Sequence, residues 1–218
     1  MEILTPAQKR LLAAASAVEA LRSSFVLTGG TALAAYHLHH RLSEDLDFFT
    51  RVPRAVPLAV ESLLASLPAA GFEIEVVRSF PSFAELSASG HGETLKLDLA
   101  EDTPFMLAPP TPGVAEGMAV ESIQDISANK LAALFDRAAP KDFVDVFFLV
   151  RDRAPLDDLV EEARKKHLGM DDYWLAQAFA RVRHVAVLPR MVRSLSIDEL
   201  QALFQPAADR IMQRALDG

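Results

Sequence analysis

"FVLTGGTALAAYHLHHRLSEDLDFF", residues 25–49, sets a Gly-Gly-Thr turn after one short apolar run and a pair of carboxylates inside another. Phe25 to Thr28 is apolar and partly β-branched and stops at Gly29-Gly30, whereas "TALAAYHLHH" from Thr31 is rich in helix formers. The spacing predicts strand, tight turn and helix. Beyond Arg41-Leu42-Ser43 the run "DLDFF" alternates, which places Asp45 and Asp47 on one face of a strand and Leu46 and Phe48 on the other. Carboxylates beside a hydrophobic core are costly unless a positive group compensates them, and a divalent metal is the first candidate.

Downstream, Pro53 to Leu67 has helical spacing and ends near Pro68 and Gly71. "FEIEVVRS", "SFAELSAS" and "ETLKLDLA" then alternate, the last two joined by the turn-like "SGHG", which predicts a β meander. In its third strand Leu95, Leu97 and Leu99 form the core face and leave Lys96 and Asp98 on the other. If this strand neighbours the one carrying Asp45 and Asp47, three carboxylates converge. Hard oxygen ligands of that kind suit Mg²⁺ or Mn²⁺. Metals held there activate an attacking hydroxyl and stabilise a departing pyrophosphate, the requirement of nucleotidyl transfer. Gly29 and Gly30 fit the same chemistry, because a turn without Cβ atoms lets backbone N–H groups approach a phosphate. Thr31 or Ser43 would donate a hydroxyl to another phosphate oxygen.

"EDTPFMLAPPTPG" reads as a proline-rich loop or arm, with a soft boundary between Pro109 and Gly117. From Ser122 onward the pattern is helical: "SIQDISANKLAALFDRA", "KDFVDVFFLVRD", "LDDLVEEARKKH", "DDYWLAQAFARVRHV" and "SIDELQALFQPAADRIMQRALD". Lys130 and Arg137 fall close to one helical face, while Leu131 and Leu134 turn towards a core. Two cations so placed would grip a triphosphate. Asp142 and Asp145 on the next helix would orient those cations or accept a proton from an acceptor hydroxyl. Asp145 has a second reading, as a structural salt bridge with Arg137 or Lys141.

"GGTALAAYHLHHRLSEDLDFF", then "KLDLA", then "ANKLAALFDRAAPKDFVDVFFL" resemble the nucleotidyltransferase toxins of the AbiEii/AbiGii family, from bacterial toxin–antitoxin and abortive-infection systems. The resemblance spans roughly Phe25 to Val150. It implies an α/β (α+β) fold: a polymerase-β-like core with a mixed β-sheet over residues 1–115, and a helical region over 116–218 that completes the active-site cleft. It implies catalytic Asp45, Asp47, Asp98, Lys130 and Asp142, of which Asp45, Asp47 and Asp98 hold the metal. It also implies nucleotide contacts at Gly29, Gly30, Thr31, Ser43, Lys130 and Arg137. A nucleoside triphosphate with magnesium is the implied substrate, an RNA such as tRNA the implied acceptor, and a cognate antitoxin the implied partner. Gly30 stands where the wider superfamily usually carries serine, which makes Thr31 the substitute hydroxyl.

Composition narrows the alternatives. Half the residues are hydrophobic and 24% are charged, the balance of a folded globular protein. No apolar run reaches the roughly 18 residues of a membrane span, and the N-terminal stretch reads as an amphipathic helix rather than a signal peptide. Cysteine is absent, so thiolate chemistry and Cys-based zinc sites are excluded, and a reducing cytoplasm is the expected compartment. A net charge of −8 argues against wholesale binding of nucleic acid, which leaves a local patch at Arg181, Arg183, Arg190 and Arg193. Tyr173 and Trp174 would stack on a base there, although a lone Trp on an amphipathic helix is more often core. His37, His39 and His40 lack partner ligands at zinc spacing and are expected at a surface or interface, and Arg41 is expected to brace an acid of the motif. The rival functions are nucleotidyl or phosphoryl transfer to a protein, and a catalytically silent nucleotide- or antitoxin-binding protein.

Overall fold

The computed structural model of the protein describes residues 2–217, in two compact units, one ending at Ser122 and the other beginning at Ile123.

The first unit is built on a seven-stranded mixed sheet. Its strands are β1 (Phe25–Thr28), β2 (Leu46–Thr50), β3 (Glu73–Phe80), β4 (Phe83–Gly90), β5 (Glu93–Glu101), β6 (Thr111–Ala115) and β7 (Met118–Val120), in the order β3-β4-β5-β2-β1-β7-β6. The predicted meander is β3 to β5, antiparallel throughout. The turn of its second hairpin is His91-Gly92, both at positive φ, the backbone a two-residue hairpin needs to follow the strand twist. β2 runs antiparallel to β1 and parallel to β5. Alternation then divides the sheet into two faces. Leu27, Leu46, Phe48, Leu95, Leu97 and Leu99 are buried on one of them, where helices α1 (Pro6–Ser16), α2 (Glu19–Arg22) and α4 (Ala55–Ser66) pack on the strands.

Two elements depart from the sequence reading. Residues 111–120 form the hairpin β6–β7 and not only a loop, and β7 pairs parallel to β1. Pro112 hid β6, because proline removes a ladder donor and fits only an edge strand, the position β6 takes. The amphipathic helix expected at the N-terminus breaks at Ala17–Val18, with Val18 extended. Just before the break the Ser16 hydroxyl donates back to Ala13 O, a side-chain bond that competes with continued helix.

The second unit is helical, as its periodicity predicts: α5 (Ile123–Arg137), α6 (Pro140–Asp152), α7 (Leu156–Lys166), α8 (Asp172–Ala180), a 3₁₀ turn at Arg181–His184, and α9 (Ile197–Asp217). Phe204 of α9 is its aromatic centre, meeting Phe143 and Phe179 edge to face at 5.0 and 5.3 Å. Lys166 and Asp125 form a fully buried ion pair at 3.2 Å. Among the described residues no helix is long and apolar enough to cross a membrane.

Helix α1 begins with a capping box. Gln8 N donates to Thr5 Oγ1 while Thr5 N donates to Gln8 Oε1 at 2.9 Å. The same Gln8 side chain is buried, and its Nε2 donates to Ser43 O at 2.8 Å and to Glu44 O at 3.3 Å. One residue therefore caps a helix and fixes the loop that feeds β2. Gln8→Ala should lower the unfolding free energy by about 1–3 kcal/mol, the cost of stranding buried carbonyls and losing a cap, read from the denaturation midpoint. A wild-type midpoint would remove Gln8 from that role.

Candidate active site

The face of the sheet opposite the leucines carries the chemistry. Asp47 of β2 stands directly beside Asp98 of β5 in the parallel register, and Glu85 of β4 stands beside Asp98 on its other side. Three carboxylates thus lie across neighbouring strands on one face. Asp45 sits one residue before β2, near enough for its charge to act on Asp98 and Lys96. Alternation put Asp47 and Asp98 together only if their strands were neighbours, and the β2–β5 register makes them so. Glu85 was not foreseen, yet the same alternation marks it, since Ala84, Leu86 and Ala88 take the core face.

Asp98 is electrostatically strained. Lys96 Nζ reaches Asp98 Oδ2 at 2.7 Å, but Oδ1 is buried and has no hydrogen-bond partner. Burial raises the Asp98 carboxyl pKa above its ordinary value, the Lys96 ammonium opposes the rise, and the like charges of Glu85 and Asp45 add to it. The Lys96 pKa is also raised: burial lowers it, and the Asp98 contact outweighs that on a side chain 40% exposed. The burial of Asp98 therefore exceeds what one ammonium compensates.

The glycine turn presses on this site. Helix α3 (Gly29–Ala32) follows β1 directly. Gly29 has φ +69°, and a Cβ there would lie 1.9 Å from Asp47 Oδ2. Only glycine fits, on both conformational and steric grounds. A Cβ at Gly30 would lie 2.6 Å from Arg41 Nη2 and 2.8 Å from Ser43 Oγ, so this glycine makes room for the buried Arg41 guanidinium and keeps Ser43 beside the turn.

Several expected residues are placed otherwise. Thr31 is fully buried and its hydroxyl donates to Asp45 O, so it positions the motif and does not present a hydroxyl to phosphate. Lys130 is buried, with Nζ 2.8 Å from Asp145 Oδ2, and Arg137 donates Nε and Nη2 to Asp142 at 2.8 and 2.7 Å. Both cations tie α5 to α6, Lys130 buried and Arg137 half exposed. Asp142 has no exposed surface and both its oxygens face Arg137. Asp145 takes the structural alternative, with Lys130 as its partner. Of the histidines, His37 faces Glu121 O at 3.2 Å, His39 is exposed at φ 52°, and His40 is fully buried, not at a surface. The segment carrying His37, Leu33–Leu38, is a π-helix, a form often found beside functional sites.

A buried polar cluster lies on the same sheet face. Thr28 Oγ1 donates to Glu121 Oε2, and Arg51 Nη2 reaches Glu121 Oε1 and Asp102 Oδ2, each at 3.2 Å. Thr28 pairs in register with Asp47, so the cluster supports the residue that precedes Gly29. Sequence alone gave no sign of it, because Glu121 and Arg51 meet across a long separation.

The donor set suits a hard divalent cation. It consists of carboxylates, and one oxygen is buried without a partner. Among the described residues no three carboxylate or imidazole groups are drawn to ligand distance around one point. Lys96 supplies the positive charge at Asp98 instead.

Because the folded-state pKa of Asp98 is raised, the folded chain holds its proton more tightly than the unfolded chain, and stability falls as pH rises from the ordinary carboxylate value of 3.8 through the raised one. Asp98→Asn should therefore gain Tm relative to wild type as pH goes from about 3 to about 7 without metal. A difference that shrinks with pH would show that the Lys96 pair dominates.

The chain matches the family described as nucleotidyl transferase AbiEii toxin, type IV TA system, over residues 10–217. No match is found among curated proteins. Its fold is similar to that of a Helicobacter pylori protein assigned provisionally as a nucleotidyltransferase, at 23% identity, TM-score 0.58 and 97% coverage of both chains. JHP933 from Helicobacter pylori is similar at 24% identity and TM-score 0.55, over 94% of this chain and 90% of that one. MenT4, a nucleotidyltransferase toxin of Mycobacterium tuberculosis H37Rv, is similar at 21% identity and TM-score 0.52, over 95% and 80%. With a carboxylate-bearing sheet face, a glycine turn against it and a family match over nearly its whole length, the chain belongs to the AbiEii toxin family of nucleotidyltransferases.

Proposed function

We propose that the protein transfers a nucleotide from a nucleoside triphosphate to an RNA hydroxyl, with a tRNA end as the favoured acceptor, and that Asp45, Asp47 and Asp98 hold magnesium or manganese for the purpose. The observation that carries this reading is the pairing of Asp47 with Asp98, whose Oδ1 is buried without a partner. The acceptor oxygen forms a bond to the α-phosphorus, the bond from that phosphorus to the β-phosphate oxygen breaks, and pyrophosphate leaves. The hydroxyl proton passes to Asp98, whose Oδ1 has no hydrogen-bond partner within the protein. A divalent cation at these carboxylates supplies Lewis-acid stabilisation of the charge that develops on the phosphate oxygens. The turn at Gly29 and Gly30 orients phosphate through backbone N–H groups, with Ser43 Oγ close by. Exposed Arg181 and Arg183 favour RNA over a protein acceptor. A cognate antitoxin would be the partner that restrains this activity in the cell.

Incubation with each α-labelled triphosphate, magnesium and total cellular RNA should place label in RNA, and chelation should abolish it. Asp47→Asn should lower the rate at least about a hundred-fold, the scale of losing one preorganised electrostatic stabiliser, while the apo protein keeps its fold. Label in protein and not in RNA would overturn the acceptor. A wild-type rate in Asp47→Asn would overturn the metal assignment.

A further inference from the structure

The second unit holds a cleft of its own. It has a volume of about 620 Å³, and its lining includes Phe135, Asp136, Trp174, Gln177, Arg181 and Arg183. Positions 174, 177 and 181 recur at helical spacing, so α8 and the start of the following 3₁₀ turn present them on one side.

Trp174, the chain's single tryptophan, is 61% exposed, contrary to the expectation of a core residue. Its ring meets Tyr173 edge to face at 5.2 Å, which holds it in place without burying it. Arg181 and Arg183 are exposed, and among the described residues neither forms an ion pair, in contrast to Arg193, which is bound to Asp152. An indole that shares a cleft with two guanidiniums matches a base with neighbouring phosphodiesters of one charge each. A triphosphate concentrates its charge at one end and calls for a tighter cluster of donors. Asp136, also in the lining, is an acceptor for the amino group of an unpaired base, whose edge a duplex would occupy by pairing.

We propose that this cleft binds an unpaired nucleotide of the acceptor RNA, with its base on Trp174, its flanking phosphates on Arg181 and Arg183, and Gln177 at the base edge. The proposal rests on the RNA-acceptor reading given above. The recognised chemistry, a base with attached phosphate, is shared with free nucleoside triphosphates.

Because Trp174 is the only tryptophan, the intrinsic fluorescence of the full chain reports from the cleft itself. Titration with a single-stranded RNA oligomer should give a saturable change whose affinity falls with salt, at a log–log slope of about −0.7 per phosphate contact. Arg181→Ala, which keeps the tryptophan, should reduce that slope by about 0.7. Trp174→Ala, followed by anisotropy of a labelled oligomer, should bind roughly ten-fold more weakly or worse, and Trp174→Phe should recover most of the loss. Circular dichroism checks that each variant is folded. An unmoved fluorescence while the labelled oligomer binds would overturn the proposal, as would an equal response to a nucleoside triphosphate or to duplex RNA at the same concentration. Asp47→Asn should leave the fluorescence response intact, which separates the two readings. RNA labelled normally by a protein whose tryptophan does not respond sinks the cleft alone. A responding tryptophan in a protein that labels no RNA sinks the acceptor reading alone.

Discussion

The parallel pairing of β2 with β5 sets Asp47 beside Asp98, and the rest of the first unit is arranged around that contact. Two carboxylates on adjacent strands repel each other, and burial deepens the cost by removing the water that would screen them. The surroundings hold the strands in register in spite of it. The leucine face supplies continuous apolar burial on the other side of the same residues, so a slip of one position would expose every leucine. Lys96 neutralises one oxygen of Asp98 and leaves the other unsatisfied.

The loop before β2 is held as firmly as the strand. Gln8 holds the carbonyls of Ser43 and Glu44, Thr31 holds that of Asp45, and Gly29 packs against the Asp47 carboxylate. Gln8 and Thr31 take no part in the proposed chemistry themselves. Such support is what fixes a site to the tolerance that phosphoryl chemistry requires.

Charge in the second unit is spent internally. Lys166 with Asp125, Lys130 with Asp145 and Arg137 with Asp142 are ion pairs in which every acid is buried. Removing the cation of any of these pairs would leave a buried carboxylate stranded in a low-dielectric interior, so the pairs specify how the helices pack more than they add to stability. Cations that sequence assigned to a nucleotide thus serve as braces between α5 and α6. The exposed guanidiniums at Arg181 and Arg183 are not part of these pairs and line one cleft with the single tryptophan.

Period-two alternation in "DLDFF" and "ETLKLDLA", the glycine turn and the helical spacing after Ser122 were legible in the chain, because each reports a local preference: side chains on opposite sides of a pleat, a backbone without Cβ, an apolar stripe. They were enough for the fold class, the Asp45–Asp47 motif and the candidacy of Asp98. The strand order, which decides whether Asp98 meets Asp47, is a non-local pairing and became visible only in the tertiary structure. Glu85, Gln8 and the Thr28–Glu121–Arg51 cluster depend on the same long-range register. Lys130 and Arg137 show the converse: a cation on a helix looks alike in sequence whether it faces a ligand or a buried aspartate. That choice is made by the neighbouring helix, since the cost of burying the acid is met only when a positive group is packed against it.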